Sequence, residues 1–353
     1  MKILFFINHL ADGGAERTAS ALLNHLCEQH KIVLVTFCDK KDSYRVDQFI
    51  TRKRISIDRK NIFIRTIKRI AKIREEIKFE HPDLIISFLT HTNSYAILAN
   101  SFINKKIIVS EQTSIQNSNL KWRLFTTHII YRLATIVVLT TNDDYNNTKW
   151  IKNKKVIYNP LTLKITQGNK NRENAIVTIG SQHNWHIKGF DLLIEAWAKI
   201  APLYPNWKLQ FIGANNDYYI SNLAKSYRLE KQVDFLGWTD EINKILQTKS
   251  IYVLSSRREG FPCSLIEAMS QGCACLAFNC KTGPNEIITD GKSGLLALNG
   301  EIDDLANKLE KLINDEQLRH RLSAGAIEEV KQFDKNVFFT KWDNLIEDIV
   351  EDK

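Results

Sequence analysis

Apolar, β-rich runs alternate with helical patterns along the whole sequence, and this alternation constrains the fold more than any other feature. It is typical of parallel sheets whose strands are joined by crossover helices. The predicted strands of the first half are 2–8, 31–37, 83–88, 107–111 and 136–140. After Asn159-Pro160 the pattern begins again, with predicted strands at 175–180, 208–213, 233–237, 251–256 and 274–278. We therefore predict an α/β protein with two Rossmann-like units in series.

The length of the chain fits this organisation, because 353 residues are enough for two domains that each bury a core. We predict an N-terminal domain over 1–158, a linker over 159–174 and a C-terminal domain over 175–333. The linker is polar and contains a proline and a glycine, which interrupt regular structure. The last residues, 334–353, form a separate predicted helix that could cross back to the N-terminal domain.

The cysteines and the apolar runs exclude several classes of protein. The six cysteines form no CxxC pair and have no His pair nearby, so neither a zinc site nor a disulfide framework is expected. No apolar run approaches the ~20 residues needed to cross a bilayer. The apolar stretch after Met1 is only about seven residues long, which is short for a signal peptide. We expect a cytoplasmic protein, peripheral at the inner face of the cell membrane.

Basic residues are concentrated in the first half of the chain. Residues 1–158 hold 26 Lys and Arg against 14 Asp and Glu, whereas residues 159–353 hold 23 against 26. The excess peaks between Arg45 and Lys78, around a helix-like apolar pattern. A basic amphipathic helix attracts anionic lipid head groups, at ~1 kcal/mol per basic residue. A solvated helix packed on its own domain is the competing interpretation, and nucleic acid is disfavoured because no recognition motif accompanies the cluster.

The loops that follow the predicted strands hold the candidate functional residues, because ligands of doubly wound sheets bind beyond the carboxyl ends of the strands. After the first strand, Gly13 and Gly14 would leave free N–H groups at a helix start, although a tight turn alone also explains them. After the first strand of the second unit, Lys188 stands at a helix start, where its charge and the helix amides would hold a diphosphate.

Two glutamates flank the loop that follows the predicted strand 251–256. Gly260 and Pro262 shape this loop, so its amides can approach a bound group. Glu267, about one turn into the next helix, can accept two hydrogen bonds from a diol such as a ribose. Glu259 precedes the loop, and a pair of glutamates across it is less easily explained as a solvated helix face. A further turn-rich loop, 282–288, could face the same ligand.

Three segments at suitable distances carry a family resemblance. They are Gly-Gly-Ala-Glu-Arg from Gly13, Lys-Gly-Phe-Asp-Leu-Leu-Ile-Glu-Ala from Lys188, and the Glu-x7-Glu motif from Glu259 to Glu267. These segments resemble those of the family-4 retaining glycosyltransferases, and the resemblance covers nearly the whole chain. The GT-B architecture of that family has two facing Rossmann-like domains with parallel sheets. Ser87-Phe88-Leu89 and Thr-Gly-Pro-Asn-Glu-Ile-Ile add a likeness to enzymes that extend polyprenyl-diphosphate-linked glycans, including bacterial N-acetylgalactosaminyltransferases.

The resemblance implies a nucleotide-sugar site in the C-terminal domain. Glu267 would bind the ribose, Lys188 the diphosphate, and Glu259 with the backbone after it the hydroxyls of the donor sugar. The glycine loop of the opposite domain would close on the diphosphate and sugar. The predicted donor-binding residues are Gly13, Gly14, Lys188, Arg257, Glu259, Gly260, Phe261 and Glu267. The predicted catalytic residues are Glu259, Lys188 and His91.

The chain departs from the family in two places. Family members commonly carry an Arg after the glycine that ends the first strand of the second domain, whereas Gly180 is followed by Ser and Gln here. Arg257 or His186 would then supply the second cation for the diphosphate. Related enzymes often have His where Gln112 stands, and His91, at the end of a neighbouring strand, is the predicted substitute.

The sequence contains no Asp-x-Asp, so the usual carboxylate pair for a metal-bound sugar nucleotide is missing. We therefore predict a metal-independent enzyme without a cofactor. Preorganised amides and Lys188 would stabilise the negative charge that grows on the leaving diphosphate. Retention would arise when the acceptor hydroxyl attacks the face that the diphosphate leaves, and a covalent carboxylate intermediate is the other mechanism that the sequence allows.

The predicted function is transfer of a hexosamine or hexose from a nucleotide sugar, most simply UDP-linked, to a lipid-linked oligosaccharide in cell-surface glycan biosynthesis. The segment from Arg45 to Lys78 is the predicted contact with the acceptor diphosphate and with an anionic membrane surface. Two alternatives stay open. One is a nucleotide-sugar epimerase or sugar phosphorylase of GT-B architecture, and the other is a non-catalytic nucleotide-sugar-binding subunit, which the presence of both glutamates disfavours.

Overall fold

The structure is a computed structural model that describes residues 1–11, 13–38, 40–57, 62–115, 121–166, 171–214 and 218–351. By its internal contacts the chain divides into two compact units. Unit 1 combines Met1–Pro160 with Lys335–Lys353, and unit 2 spans Leu161–Asp334. Each unit is built on one parallel sheet covered by helices, which confirms the predicted α/β class.

Unit 1 contains a seven-stranded sheet in which every pair of neighbouring strands is parallel. The strands are β1 (Lys2–Phe6), β2 (Lys31–Thr36), β3 (Thr51–Arg54), β4 (Leu84–Phe88), β5 (Lys106–Glu111), β6 (Ile136–Leu139) and β7 (Lys154–Val156). Their order across the sheet is β3-β2-β1-β4-β5-β6-β7. The connecting helices are α1 (Gly14–Leu26), α2 (Ile62–Glu80), α3 (Thr90–Asn100), α4 (Lys121–His128) and α5 (Asn142–Asn147).

Both faces of this sheet are buried under helices. Ile3 and Phe5 of β1 belong to a core cluster that includes α1, whereas Leu4 and Phe6 belong to a second cluster that includes α2 and α3. A strand that is buried on both faces needs apolar side chains at every position. This is why the central strands are continuous apolar runs that the sequence pattern identifies.

Unit 2 contains a six-stranded sheet that is also parallel throughout. The strands are β8 (Glu173–Ile179), β9 (Lys208–Ile212), β10 (Val233–Gly237), β11 (Lys249–Leu254), β12 (Ala274–Phe278) and β13 (Leu295–Ala297). Their order is β10-β9-β8-β11-β12-β13. The helices are α6 (Trp185–Lys188), α7 (Phe190–Ile200), α8 (Tyr218–Ser226), α9 (Ile242–Thr248), α10 (Cys263–Ser270), α11 (Pro284–Ile287), α12 (Ile302–Asn314) and α13 (Glu316–Val330).

Three strands, β3, β7 and β13, escape the sequence-based prediction. Each lies at an edge of its sheet. Their sequences are TRKR, KKV and LLA, so two are rich in charge and the third is very short. An edge strand has one unpaired side and tolerates Lys and Arg, which also discourage pairing with another chain. The apolar pattern therefore gives no signal for these strands.

The final helix, α14 (Lys335–Glu351), packs on unit 1. Trp342 lies in the core cluster of β1, β4 and α1, with its ring 6.0 Å from that of Phe88. His25 Nε2 of α1 lies 2.9 Å from a carboxylate oxygen of Asp343. Unit 1 is therefore formed from both ends of the chain.

In both sheets the strand order reverses at one point, between β1 and β4 in unit 1 and between β8 and β11 in unit 2. The connections on either side of such a switch point run in opposite directions along the sheet, which opens a crevice at the carboxyl ends of the two strands. The segments after β1, β4, β8 and β11 border these crevices. They contain Gly13, His91, Lys188 and Glu259, respectively.

The segment from Arg45 to Lys78 includes β3 and most of α2. Its residues Arg59 and Lys60 lie outside the described part of the chain. On α2, the side chains of Ile73 and Ile77 are buried, and Ile67 is 53% exposed. Within the described ranges, no helix combines the length and the hydropathy needed to span a bilayer.

Replacing Trp342 by Ala should lower the free energy of unfolding by about 3–5 kcal/mol, because the side chain is only 1% exposed and its removal leaves a cavity in the core. Trp238→Ala is the matched control, since Trp238 is 63% exposed and its loss should change stability by less than ~0.5 kcal/mol. Urea denaturation followed by circular dichroism compares the two variants. Equal losses would contradict the packing of α14 on unit 1.

Candidate functional site

Lys188 and Glu259 form an ion pair at the switch point of unit 2. The Lys188 ammonium donates to Glu259 Oε1 over 2.8 Å, and the two side chains are 23% and 10% exposed. Lys188 is the last residue of α6 and directly precedes the cap of α7, so the predicted placement of this lysine at a helix start is correct. The structure thus brings together two residues that lie 71 positions apart in the sequence.

One oxygen of the Glu259 carboxylate accepts hydrogen bonds from protein groups. Ser256, which is 1% exposed, donates its hydroxyl to Glu259 Oε1 over 2.5 Å. Both donors, Lys188 and Ser256, thus bind the same oxygen. Among the described residues none donates to Oε2, which therefore keeps its capacity to accept hydrogen bonds from a ligand.

The segment that carries Lys188 is hydrogen-bonded to the residues that follow β11. Ser255 donates its hydroxyl to the Lys188 carbonyl over 2.9 Å, and the Arg257 N–H donates to the Ile187 carbonyl over 2.9 Å. Gly189 caps α7 in the left-handed conformation, with φ at 61°. A Cβ at this position would lie 1.9 Å from the Ser255 carbonyl oxygen, so the approach of the two segments requires glycine.

Arg257, predicted as a cation for the diphosphate, is engaged with protein groups. Its two terminal nitrogens bind both oxygens of Asp191 over 2.7 and 2.6 Å, and one of them also donates to the His186 carbonyl over 2.6 Å. The hydrogen bonds with Asp191 raise the pKa of the guanidinium. Arg257 therefore braces α6 and α7 against the loop after β11, and its contact with a diphosphate stays a prediction. The His186 side chain is exposed.

The remaining predicted residues of unit 2 line the start of α10. Glu267 lies one turn into this helix, as predicted, and is only 2% exposed. Phe261 is 5% exposed and packs edge-on against Phe333, with ring centres 5.3 Å apart. Gly260 lies between Glu259 and Phe261 in the loop. Binding of a ribose by Glu267 stays a prediction.

In unit 1, Gly13 and Gly14 stand where α1 begins, as predicted. Asp12, beside them, lies outside the described residues. A Cβ on Gly13 would lie 2.0 Å from Glu16 Oε2, so the Glu16 carboxylate rests against this glycine. A negative side chain in the first turn is favoured by the helix dipole. His9 Nδ1 lies 3.7 Å from the other oxygen of Glu16.

His91 is exposed on the first turn of α3. Desolvation by neighbouring groups lowers its pKa, and the charges of Arg123 and Arg69 lower it further, while Glu111 acts in the opposite direction. The neutral imidazole is thereby favoured at neutral pH. In this form His91 has one nitrogen that can accept a proton.

A buried carboxylate next to His91 escapes the sequence-based prediction. Glu111, at the end of β5, is 1% exposed and accepts hydrogen bonds from Thr90, Thr113 and Tyr131 over 2.8, 2.6 and 2.5 Å. Arg123 donates to the Thr113 carbonyl over 2.9 Å and approaches Glu111 to 3.5 Å. The network fixes the loops after β4 and β5. The only signal in the sequence was a glutamate at the end of a predicted strand.

In the part of the chain that the structure describes, no three His, Cys, Asp or Glu side chains are grouped to hold a metal ion. The described cysteines are all free. Burial raises the pKa of Cys273 to about 11, so this thiol stays protonated. Independence from metals stays a prediction for the reaction itself.

Comparison with known proteins identifies the family. Residues 12–164 match the model "Glycosyltransferase Family 4", and residues 162–329 match "Glycosyl transferases group 1". An uncharacterized glycosyltransferase of Haemophilus influenzae is 29% identical over 91% of this chain and 93% of that protein. In Campylobacter jejuni, the alpha-1,4-N-acetyl-D-galactosaminyltransferase named for the substrate GalNAc-alpha-(1->4)-GalNAc-alpha-(1->3)-diNAcBac-PP-undecaprenol is 27% identical over 99% of both chains.

A solved structure shares the fold across the same length. Anabaena HepE, crystallised with UDP and glucose, superimposes with a TM-score of 0.82 at 18% identity, over 99% of this chain and 100% of that one. Two parallel Rossmann-like sheets in one chain, together with these similarities, define a GT-B glycosyltransferase. The chain belongs to the family whose N-terminal domain is of the Glycosyltransferase Family 4 type and whose C-terminal domain is of the group 1 type.

Gly189→Ala should destabilise the protein by about 2–5 kcal/mol, because a left-handed Ala costs about 1–2 kcal/mol and the clash with Ser255 adds the cost of overpacking. Gly300→Ala is the control, since Gly300 also has a positive φ, of 82°, but no atom within 4 Å of the added Cβ. Gly300→Ala should therefore cost only the ~1–2 kcal/mol of the left-handed conformation. Urea denaturation gives both values, and a Gly189→Ala variant as stable as Gly300→Ala would contradict the contact between the two segments.

Proposed function

We propose that this glycosyltransferase moves a hexosamine or hexose from a UDP-sugar to a lipid-linked oligosaccharide, with retention of anomeric configuration and without a metal ion. The observation that carries the proposal is the Lys188–Glu259 ion pair at the switch point of unit 2. A cation for a diphosphate and a carboxylate for sugar hydroxyls stand side by side there. Both groups are partly buried, so their interactions with a ligand are stronger than they would be in water.

The donor diphosphate would replace Glu259 as the partner of Lys188. The first turn of α7 directly follows Lys188, and its N–H groups favour negative charge. As the bond between sugar and phosphate breaks, charge grows on the diphosphate, and preorganised donors at this point stabilise it without reorganisation. Glu259 Oε2 would accept hydroxyls of the donor sugar, and Glu267 would accept those of the ribose.

Retention follows from the same arrangement. The leaving diphosphate stays on its face of the sugar, where Lys188 and the amides hold it. An acceptor hydroxyl that attacks on this face gives the retained configuration and can pass its proton to a diphosphate oxygen. In unit 1, His91, whose neutral imidazole has one nitrogen that can accept a proton, stays a predicted catalytic residue.

The names of relatives support a lipid-linked acceptor. The Campylobacter jejuni relative described above acts, by its name, on a PP-undecaprenol-linked glycan. A second relative is named as an amylovoran biosynthesis glycosyltransferase of Erwinia amylovora, and it is 25% identical over 98% of this chain and 99% of that protein. Assembly of a surface glycan on a lipid carrier is the setting common to such acceptors.

The basic segment of unit 1 supports peripheral binding to an anionic membrane. Helix α2 carries Arg65, Lys68 and Lys72 beside the exposed side chain of Ile67. The segment after α4 packs on the same core cluster as α2 and exposes Ile129 and Leu133, by 53% and 61%. Apolar side chains next to basic ones are the composition that an anionic lipid surface binds.

Glu259→Gln and Lys188→Met should each lower the rate of sugar transfer about 100- to 1,000-fold, because each removes a preorganised electrostatic contact. Lys244→Met is the control, since Lys244 pairs with Glu241 at the surface, where the two side chains are 67% and 59% exposed. Transfer of radiolabelled sugar to lipid-linked acceptors measures the rates. Folded Glu259 and Lys188 variants with near-normal rates would contradict the site.

The donor and the reaction are tested together. Thermal-shift measurements with UDP-, GDP- and ADP-sugars should select a UDP-sugar, since a ligand at about 100 times its dissociation constant stabilises a protein by ~2.7 kcal/mol. The selected sugar is then incubated alone, with phosphate, and with acceptor. Conversion of the sugar nucleotide without acceptor would indicate an epimerase, and conversion that requires phosphate would indicate a phosphorylase. Binding without any turnover would indicate a non-catalytic subunit. Each of these outcomes would contradict the proposal.

Neutralising Arg65, Lys68, Arg69 and Lys72 together as Gln should lower co-sedimentation with anionic liposomes at least about tenfold, because each basic residue near such a surface contributes ~1 kcal/mol. The apparent KM for lipid-linked acceptor should rise, while UDP affinity stays unchanged. The control replaces four exposed lysines of unit 2 with Gln, which changes the net charge equally: Lys199, Lys208, Lys244 and Lys331. Equal liposome binding by both quadruple variants would contradict membrane contact through α2.

A further inference from the structure

Thr282, in the segment between β12 and α11, contacts the backbone of Glu259. Its hydroxyl lies 2.5 Å from the Glu259 carbonyl oxygen and 2.6 Å from the Lys281 carbonyl oxygen, so its one proton is shared between two acceptors. The side chain is 1% exposed. Strands β11 and β12 are neighbours in the sheet, and the segments after them therefore lie side by side.

Thr282 adopts a backbone conformation that β-branched residues avoid. Its φ is 66°, in the left-handed region. Such a conformation costs about 1–3 kcal/mol and persists only where the surrounding structure imposes it. The hydroxyl contact with Glu259 is what the unusual backbone achieves, because it turns a buried side chain towards the loop after β11.

The residues next to Thr282 also lie against the loop that follows β11. Gly283 has φ at 97°, and a Cβ there would lie 2.5 Å from Pro262 Cδ and 3.4 Å from the Gly260 carbonyl oxygen. Cys280 is buried, and its pKa is raised to about 12, first by burial and then by the charge of Glu259. The segment 280–283 thus holds the loop from Glu259 to Pro262 at several points.

We propose that Thr282 is a positioning residue that holds Glu259 in place during sugar transfer, an inference that rests on the proposed function. When the donor diphosphate draws Lys188 away, Glu259 loses one of the two hydrogen-bond donors described above and keeps the other, Ser256. The orientation of the carboxylate then depends on the backbone of the loop, which Thr282 anchors. A displacement of about 1 Å in such a group can cost about 100-fold in rate.

The test uses three substitutions in the full chain. Thr282→Val keeps the shape and the branched Cβ but removes the hydroxyl, and it should lower kcat about 10- to 100-fold. Thr282→Ser keeps the hydroxyl and should restore kcat to within about threefold of the unsubstituted chain. Thr282→Gly removes both the strain and the hydroxyl, so the relief of strain offsets part of the lost packing and the variant should fold but lose activity.

UDP affinity separates positioning from a general structural role. UDP lacks the sugar that Glu259 would contact, so its dissociation constant should stay within about twofold in all three variants. Thr289→Val is the matched control, because Thr289 is exposed and its hydroxyl makes only a 3.4 Å contact with Glu329. Loss of UDP binding in parallel with kcat would overturn the positioning role, as would a Thr282→Val variant with normal kcat.

Hydrogen exchange of residues 256–262 gives a readout without activity. The Val and Gly variants should exchange faster in this segment than the Ser variant and the unsubstituted chain. Equal exchange in all four proteins would overturn the inference even if no sugar were transferred. Failure of the unsubstituted chain to use any nucleotide sugar would instead count against the proposed function, and the exchange data would still decide whether Thr282 holds the loop.

Discussion

The hydrogen bonding of parallel strands is the constraint on which the rest of this structure depends. Parallel strands have all their carboxyl ends at one edge of the sheet, and each connection must return across a face, here mostly as a helix. Helices therefore cover both faces, and the side chains beneath them must be apolar. Polar groups with a chemical role are left to the loops at the carboxyl edge. Lys188 and Glu259 in unit 2 and His91 in unit 1 all lie in segments that follow strands at this edge, in loops or first helical turns.

Pairing of Lys188 with Glu259 also offsets an electrostatic cost that a partly buried lysine meets. An ammonium group taken partly out of water without a partner is costly. The Glu259 carboxylate, 2.8 Å from the Lys188 ammonium, offsets this cost. Under the proposed function, a phosphate bound by Lys188 would replace one oxyanion with another, which requires less rearrangement than the ordering of a free side chain.

The sequence predicted the central strands, the two units and the loops that matter, because continuous apolar runs and glycine pairs are local signals. It could not predict β3 and β7, whose charged sequences are allowed only by their position at a sheet edge. It identified Glu259 and Lys188 but not their contact, which depends on two strands that are neighbours in the sheet. Arg257 is the clearest example of a contact that the sequence could not predict. Its partner, Asp191, is present in the sequence, but nothing there indicates that the two residues pair.

The return of α14 to unit 1 sets the order in which the protein can fold. Phe338, Trp342 and Ile346 complete a core cluster with residues of β1, β4 and α1, which precede unit 2 in the sequence. All of unit 2 leaves the ribosome between these two parts. Domains of nascent chains usually fold in order from the amino terminus. Here unit 2 can close before α14 has been made, and until then the part of the unit 1 sheet that α14 covers stays exposed and needs protection from aggregation.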